Sequence, residues 1–185
     1  MVGPRGRGSN MQAIIDACRR CEVPGTVTIV IASGEGSEAE AKAQDLGIPT
    51  EVVKPGEQYG ERLLKVLGNC DWVCLAGFLR ILPKEVLDHF PDRVLNIHPS
   101  LLPKFGGKGM YGHHVHEAVL QAGEAESGCS VHLVNAVYDD GAVILQKRCV
   151  VEPDDTAETL AARVLKLEHL AYPEALKKVI LDRSR

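Results

Sequence analysis

The sequence predicts an α/β fold with a mostly parallel sheet flanked by helices. Short apolar runs alternate with amphipathic stretches along most of the chain, which is the pattern of βαβ units. No internal repeat, low-complexity tract or interdomain linker interrupts that alternation, so 1–185 reads as one domain. A chain of 185 residues with 45% apolar and 25% charged residues has the material for one sizeable core.

The elements follow in order. Helices are predicted over 9–19, 37–46, 58–67, 84–90 and 114–122, where apolar residues recur at helical spacing. Strands are predicted over 26–32, 50–53, 72–76 and 94–97, each a short apolar run between turn residues. Two longer strands, 129–137 and 143–151, flank Asp139-Asp140-Gly141, and a closing helix fits 156–181.

Composition excludes several classes. A net charge of −4 leaves no basic surplus to neutralise phosphates, so no nucleic-acid partner is expected. Without a long apolar run or a charged-then-apolar leader, the expectation is no membrane partner and a cytoplasmic protein. The six cysteines include Cys18-x-x-Cys21 and Cys70-x-x-x-Cys74, yet no histidine completes a zinc-type spacing, and free thiols in a reducing compartment are expected. His113-His114-x-His116 lacks a carboxylate or cysteine at set spacing, so no metal is predicted.

The chemistry-bearing residues lie in the second half. Asn96 and His98 alternate on one strand and project from the same face. Pro99 ends that strand, placing the pair at a carboxyl end, where open α/β sheets form their ligand crevices. An amide NH2 and an imidazolium can both donate to an oxygen that gains charge as an amine attacks a carbonyl. Asp139 is a carboxylate suited to orient the imidazole, hold it protonated and pass protons through water. His132 reads as a buried structural histidine that holds Asp139 or the site loop in place. Near the start, Gly6-Arg7-Gly8-Ser9-Asn10 suits either a phosphate cradle at a helix N-terminus or a simple loop and cap.

Six blocks in order resemble the folate-dependent formyltransferases, specifically the phosphoribosylglycinamide formyltransferase family. They are 6–15, 75–82, 96–103, 128–132, 139–146 and 168–173. The resemblance implies a single-domain formyltransferase fold with a Rossmann-like sheet. Its phosphate-binding part would lie at about 1–95 and its folate-binding and catalytic part at about 76–185. It implies transfer of a formyl group from 10-formyltetrahydrofolate, as co-substrate, to glycinamide ribonucleotide, by a monomer or homodimer. Gly8, Ser9 and Asn10 would hold the substrate phosphate. Leu79, Arg80, Ile81 and Leu82 would meet the folate, and Glu168 the glycinamide end of the substrate.

Two stretches depart from the family pattern. Met1-Val2-Gly3-Pro4-Arg5 replaces an apolar strand, so the first strand is expected to be missing or shortened and its neighbour partly unpaired. The glycine-rich segment 105–116 is longer than the shortest family version. It reads as a lid with Lys108 or His116 near the substrate phosphate, or as a surface insertion. Two other readings stay open: a formyltetrahydrofolate hydrolase, and a non-catalytic folate- or nucleotide-binding variant. A methionyl-tRNA formyltransferase is disfavoured for want of a C-terminal extension and a basic surface.

Overall fold

In the computed structural model, which describes residues 1–4 and 6–183, helices and strands alternate as the pattern predicts. Contacts divide the chain into two compact units, Met1–Asn96 and Ile97–Arg185.

The first unit holds α1 (Ser9–Arg19), β1 (Val30–Ala32), α2 (Glu38–Asp45), β2 (Thr50–Val52), α3 (Tyr59–Leu67), β3 (Val73–Leu75) and α4 (Lys84–His89). It also holds most of β4 (Val94–His98). β1 pairs in parallel with β2, and β3 with β4. Helix α2 starts where Ser37 Oγ accepts from the Glu40 N–H, satisfying one otherwise orphaned donor. The predicted strand over 26–32 shrinks to Val30–Ala32, because its partner β2 offers only a short ladder.

The N-terminal stretch does supply the missing strand, shortened to a single residue. Val2 bridges in parallel to Ala32 on one side and Ala76 on the other. Its N–H donates to Ile31 O at 2.9 Å, its carbonyl accepts from Ser33 N–H at 3.1 Å, and Ala76 N–H donates to Met1 O at 2.9 Å. The expected unpaired neighbour is therefore not found: β1 is bonded on both sides. Val2 is buried in a cluster with Met11, Ile15, Val30, Ala32, Ala39, Ala43 and Ala76, so apolar burial offsets the shortness of the strand.

The second unit holds α5 (His113–Gln121), β5 (Glu126–Leu133), β6 (Val143–Val150) and α6 (Ala157–Arg183). β5 and β6 pair antiparallel, the one exception among these strand pairs to the parallel pattern. The ladder begins at Glu126 opposite Val150, so β5 both starts and ends earlier than the predicted 129–137. Its register shifts between Val131 and His132, and such a bulge re-aims the side chain beside it. Helix α6 packs on β5 and β6 and continues through Pro173 without breaking.

Candidate active site

His98 ends β4 and is buried, with 3% of its surface exposed. Asn96 lies two residues earlier on the same strand, and period-2 alternation gives them a common face. Asp139 lies in the turn between β5 and β6 at φ 53, a left-handed conformation that aspartate tolerates better than most residues.

Long-range folding brings Asp139 between two imidazoles. Its Oδ2 is 3.4 Å from His98 Nδ1, and its Oδ1 is 3.5 Å from His132 Nε2. Each ring is held at its other nitrogen by a backbone carbonyl: His98 Nε2 lies 2.7 Å from Phe105 O, and His132 Nδ1 lies 2.8 Å from Leu133 O. A carbonyl can only accept, so those nitrogens carry the hydrogens, and the remaining nitrogen of each ring faces the carboxylate. The Gly107 N–H completes the set by donating to Asp139 Oδ2 at 3.0 Å.

Burial pushes the Asp139 carboxyl upward, but His132, His98 and the Gly107 N–H together outweigh it and hold the carboxyl below its ordinary value. Burial dominates at His98 and lowers its pKa, against the opposing pull of Asp139 and the Phe105 carbonyl. The site thus holds an ionised carboxylate beside an imidazole that is mainly neutral at pH 7. The expectation of a standing imidazolium is corrected accordingly: burial disfavours the charged ring.

The glycine-rich segment that follows Ser100-Leu101-Leu102-Pro103 contacts both His98 and Asp139. Phe105 adopts φ 56, and Gly106 packs so closely that a Cβ there would sit 2.6 Å from Leu102 Cδ2 and 3.3 Å from Asp139 Cβ. Phe105 and Gly107 act here through backbone atoms, which leave no side-chain signature in the sequence beyond the neighbouring glycines of the 105–116 segment. Lys108 is exposed. His116 is 4% exposed and burial drives its pKa to about 4, so it is neutral at pH 7 and unsuited to pairing with a phosphate. His113 and His114 face Glu117, and His113 also faces Glu158. Among the described residues no group of three or more His, Cys, Asp or Glu side chains is arranged to hold a metal ion.

In the first unit, Gly8 precedes α1 at φ 71, with Ser9 and Asn10 as the first helical residues. A Cβ on Gly8 would lie 2.8 Å from Ala39 Cα, so the close loop-to-helix approach requires glycine there. Orphaned N–H groups of the first turn and the helix dipole make this end a suitable anion site, and Lys42 Nζ adds a cation by donating to Arg7 O at 2.6 Å. Of the segment after β3, Leu79 and Ile81 are 55% and 47% exposed and Arg80 is exposed, whereas Leu82 is core. Leu82 thus anchors the segment from below while Leu79 and Ile81 present apolar surface. Glu168 is buried in α6 at 8% exposure and close enough to Cys129 to raise that thiol further, after burial, to about 12.

Comparison with known proteins gives consistent results. The formyl transferase family model matches residues 4–176. The phosphoribosylglycinamide formyltransferase of Escherichia coli (strain K12) is 39% identical over 91% of this chain and 80% of its own length. The chloroplastic phosphoribosylglycinamide formyltransferase of Arabidopsis thaliana is 39% identical over 97% of this chain; the chain spans 64% of that protein, and 13% of a trifunctional relative. A crystal structure of phosphoribosylglycinamide formyltransferase from Brucella melitensis superposes with a TM-score of 0.87 at 40% identity, covering 96% of this chain and 93% of that one.

Proposed function

Since the chain belongs to the formyl transferase family, and within it to the phosphoribosylglycinamide formyltransferases, we propose that it moves a formyl group from 10-formyltetrahydrofolate to the amine of glycinamide ribonucleotide in purine biosynthesis. The observation that carries this reading is the Asp139 carboxylate bracketed by His98 and His132, on the strand end and turn where acyl transfer needs a proton carrier.

In this reading the substrate amine attacks the formyl carbon directly. The carbonyl electron pair moves onto oxygen, which accepts hydrogen bonds from the Asn96 amide and, once the ring carries the proton released by the attacking nitrogen, from His98. The Phe105 carbonyl holds Nε2–H, so Nδ1 is the edge of His98 left to exchange a proton. Asp139 draws the proton from the attacking nitrogen through water. The proton passes on to His98 Nδ1, and collapse of the tetrahedral intermediate breaks the bond to N10 of the folate, which leaves with that same proton, returned through Asp139 and water. His132 keeps the carboxylate aimed.

Gly8, Ser9 and Asn10 are assigned to the ribonucleotide phosphate, with Glu168 for the glycinamide end. Leu79, Arg80, Ile81 and Leu82 are assigned to the folate. The chain works as a single formyltransferase domain over 1–185, supported by one family model running through 4–176. Its six free cysteines suit a reducing compartment such as the cytoplasm.

The test is formyl transfer from 10-formyltetrahydrofolate with and without glycinamide ribonucleotide, following folate product and free formate. Amine-dependent turnover without formate release is expected. Formate release without the amine would make the protein a hydrolase instead, and folate binding without turnover would make it a binding protein.

A further inference from the structure

The chain that leaves His98 returns to it at Phe105, and the path between them is tied to β5 and β6 by two side chains outside the proposed chemistry. Ser130 Oγ donates to Ser100 O at 2.6 Å and accepts from the Leu102 N–H at 3.0 Å. Gln146 Nε2 donates to Ser130 Oγ at 2.8 Å and to Leu102 O at 3.0 Å. Both amide hydrogens of Gln146 are thereby used, and the Ser130 hydroxyl has its one donor and two acceptor sites filled. Ser100 and Ser130 are fully buried, and Ser100 Oγ closes the turn by donating to Lys104 O at 2.7 Å.

The next residue is Phe105, held at φ 56, a conformation that a non-glycine residue keeps only where its surroundings over-determine it. Its carbonyl meets His98 Nε2, and Gly107 then meets Asp139. The placement of both contacts depends on where the preceding turn is pinned.

We propose that Gln146, acting through Ser130 and the Leu102 backbone, is a positioning residue that sets the Phe105 carbonyl on His98 and so fixes which imidazole nitrogen carries the hydrogen. The proposal rests on the acyl-transfer reading above, in which His98 Nδ1 must be the exchanging edge. Gln146 touches neither substrate nor reacting atoms in this account. Its effect reaches the chemistry through the geometry of 100–107.

The proposal separates from simple packing by a spectroscopic readout. Long-range 15N–1H correlation spectra of the histidine rings would be recorded on the intact protein and on Gln146→Leu, together with steady-state formyl transfer. For the unaltered protein, His98 is expected as the single Nε2–H tautomer. In Gln146→Leu the spectrum is expected to show mixed tautomers, with kcat roughly 10- to 100-fold lower and KM values little changed, the penalty of a small misplacement of a reacting group.

Should Gln146→Leu fail to fold, Gln146→Glu keeps the shape and, when ionised, removes both donors, and Ser130→Ala removes the relay alone. A folded variant with His98 spectra and kcat unchanged would overturn the proposal, as would an Nδ1–H tautomer in the unaltered protein. If the unaltered protein transfers no formyl group, the functional reading falls while the tautomer measurement still decides the role of Gln146.

Discussion

Gly106 packs against Asp139 so closely that any side chain at 106 would press on the aspartate: a Cβ there lies 3.3 Å from Asp139 Cβ and 2.6 Å from Leu102 Cδ2. Gly106→Ala is therefore expected to lift the loop off the site, separating Phe105 O from His98 and Gly107 N–H from Asp139 together. Turnover should fall while folate affinity, measured by titration calorimetry, stays close to that of the unaltered protein. Equal turnover in the variant would mean that the loop contacts do not position the site.

Asp139→Asn keeps the shape and removes the charge. The carboxyl is held below its ordinary value, so it is ionised across the neutral range, and its loss should lower kcat by roughly 10²- to 10⁴-fold with little change in ligand binding. A large binding loss with unchanged kcat would remove Asp139 from the chemistry. Asn96→Ala and His98→Ala should each cost about 2.7–4 kcal/mol of transition-state stabilisation, and near-normal rates would refute their role at the developing oxyanion.

Gly8→Ala tests the anion site. The residue sits at φ 71 against Ala39, so an added methyl group strains the backbone and displaces the first turn of α1. The expected result is a raised KM for glycinamide ribonucleotide with KM for the folate unchanged. A uniform rise in both would assign the effect to general loosening of the fold.

His116 makes a pH prediction about stability. Its pKa is lowered from 6.5 to about 4, by burial first and then by the neighbouring His113 and His98. The unfolded chain therefore binds more protons than the folded one between those values. Stability is fully present above pH 6.5 and is lost as pH falls towards 4. Linkage gives about 2 kcal/mol lost by pH 5 from this group. His98, shifted in the same direction, adds to the slope. Urea unfolding of His116→Gln at pH 7 and pH 5 should show a difference smaller by about that amount, and an unchanged difference would show that His116 titrates normally.

Local periodicity determined much of this protein directly. Helix α1 runs over the predicted 9–19, and β4 carries Asn96 and His98 two residues apart ahead of Pro99, because alternation and proline sterics are properties of the neighbouring chain. The anion-suited start of α1 was legible for the same reason: glycine and a helix N-terminus are local features.

Other features came only from the tertiary structure. Val2 paired on both sides although its neighbours argue against a strand, because the bonds come from Ile31, Ser33 and Ala76, far away in sequence. Phe105 and Gly107 joined the site through backbone atoms, which carry no side-chain signature. Glu168 and His116 became buried, and burial reset the protonation of His116. Alternation and helical spacing record what a residue's near neighbours impose. Desolvation, hydrogen-bond satisfaction and charge pairing depend on residues that only folding brings within a few ångströms, so the protonation and aim of His98 and Asp139 belong to the folded chain.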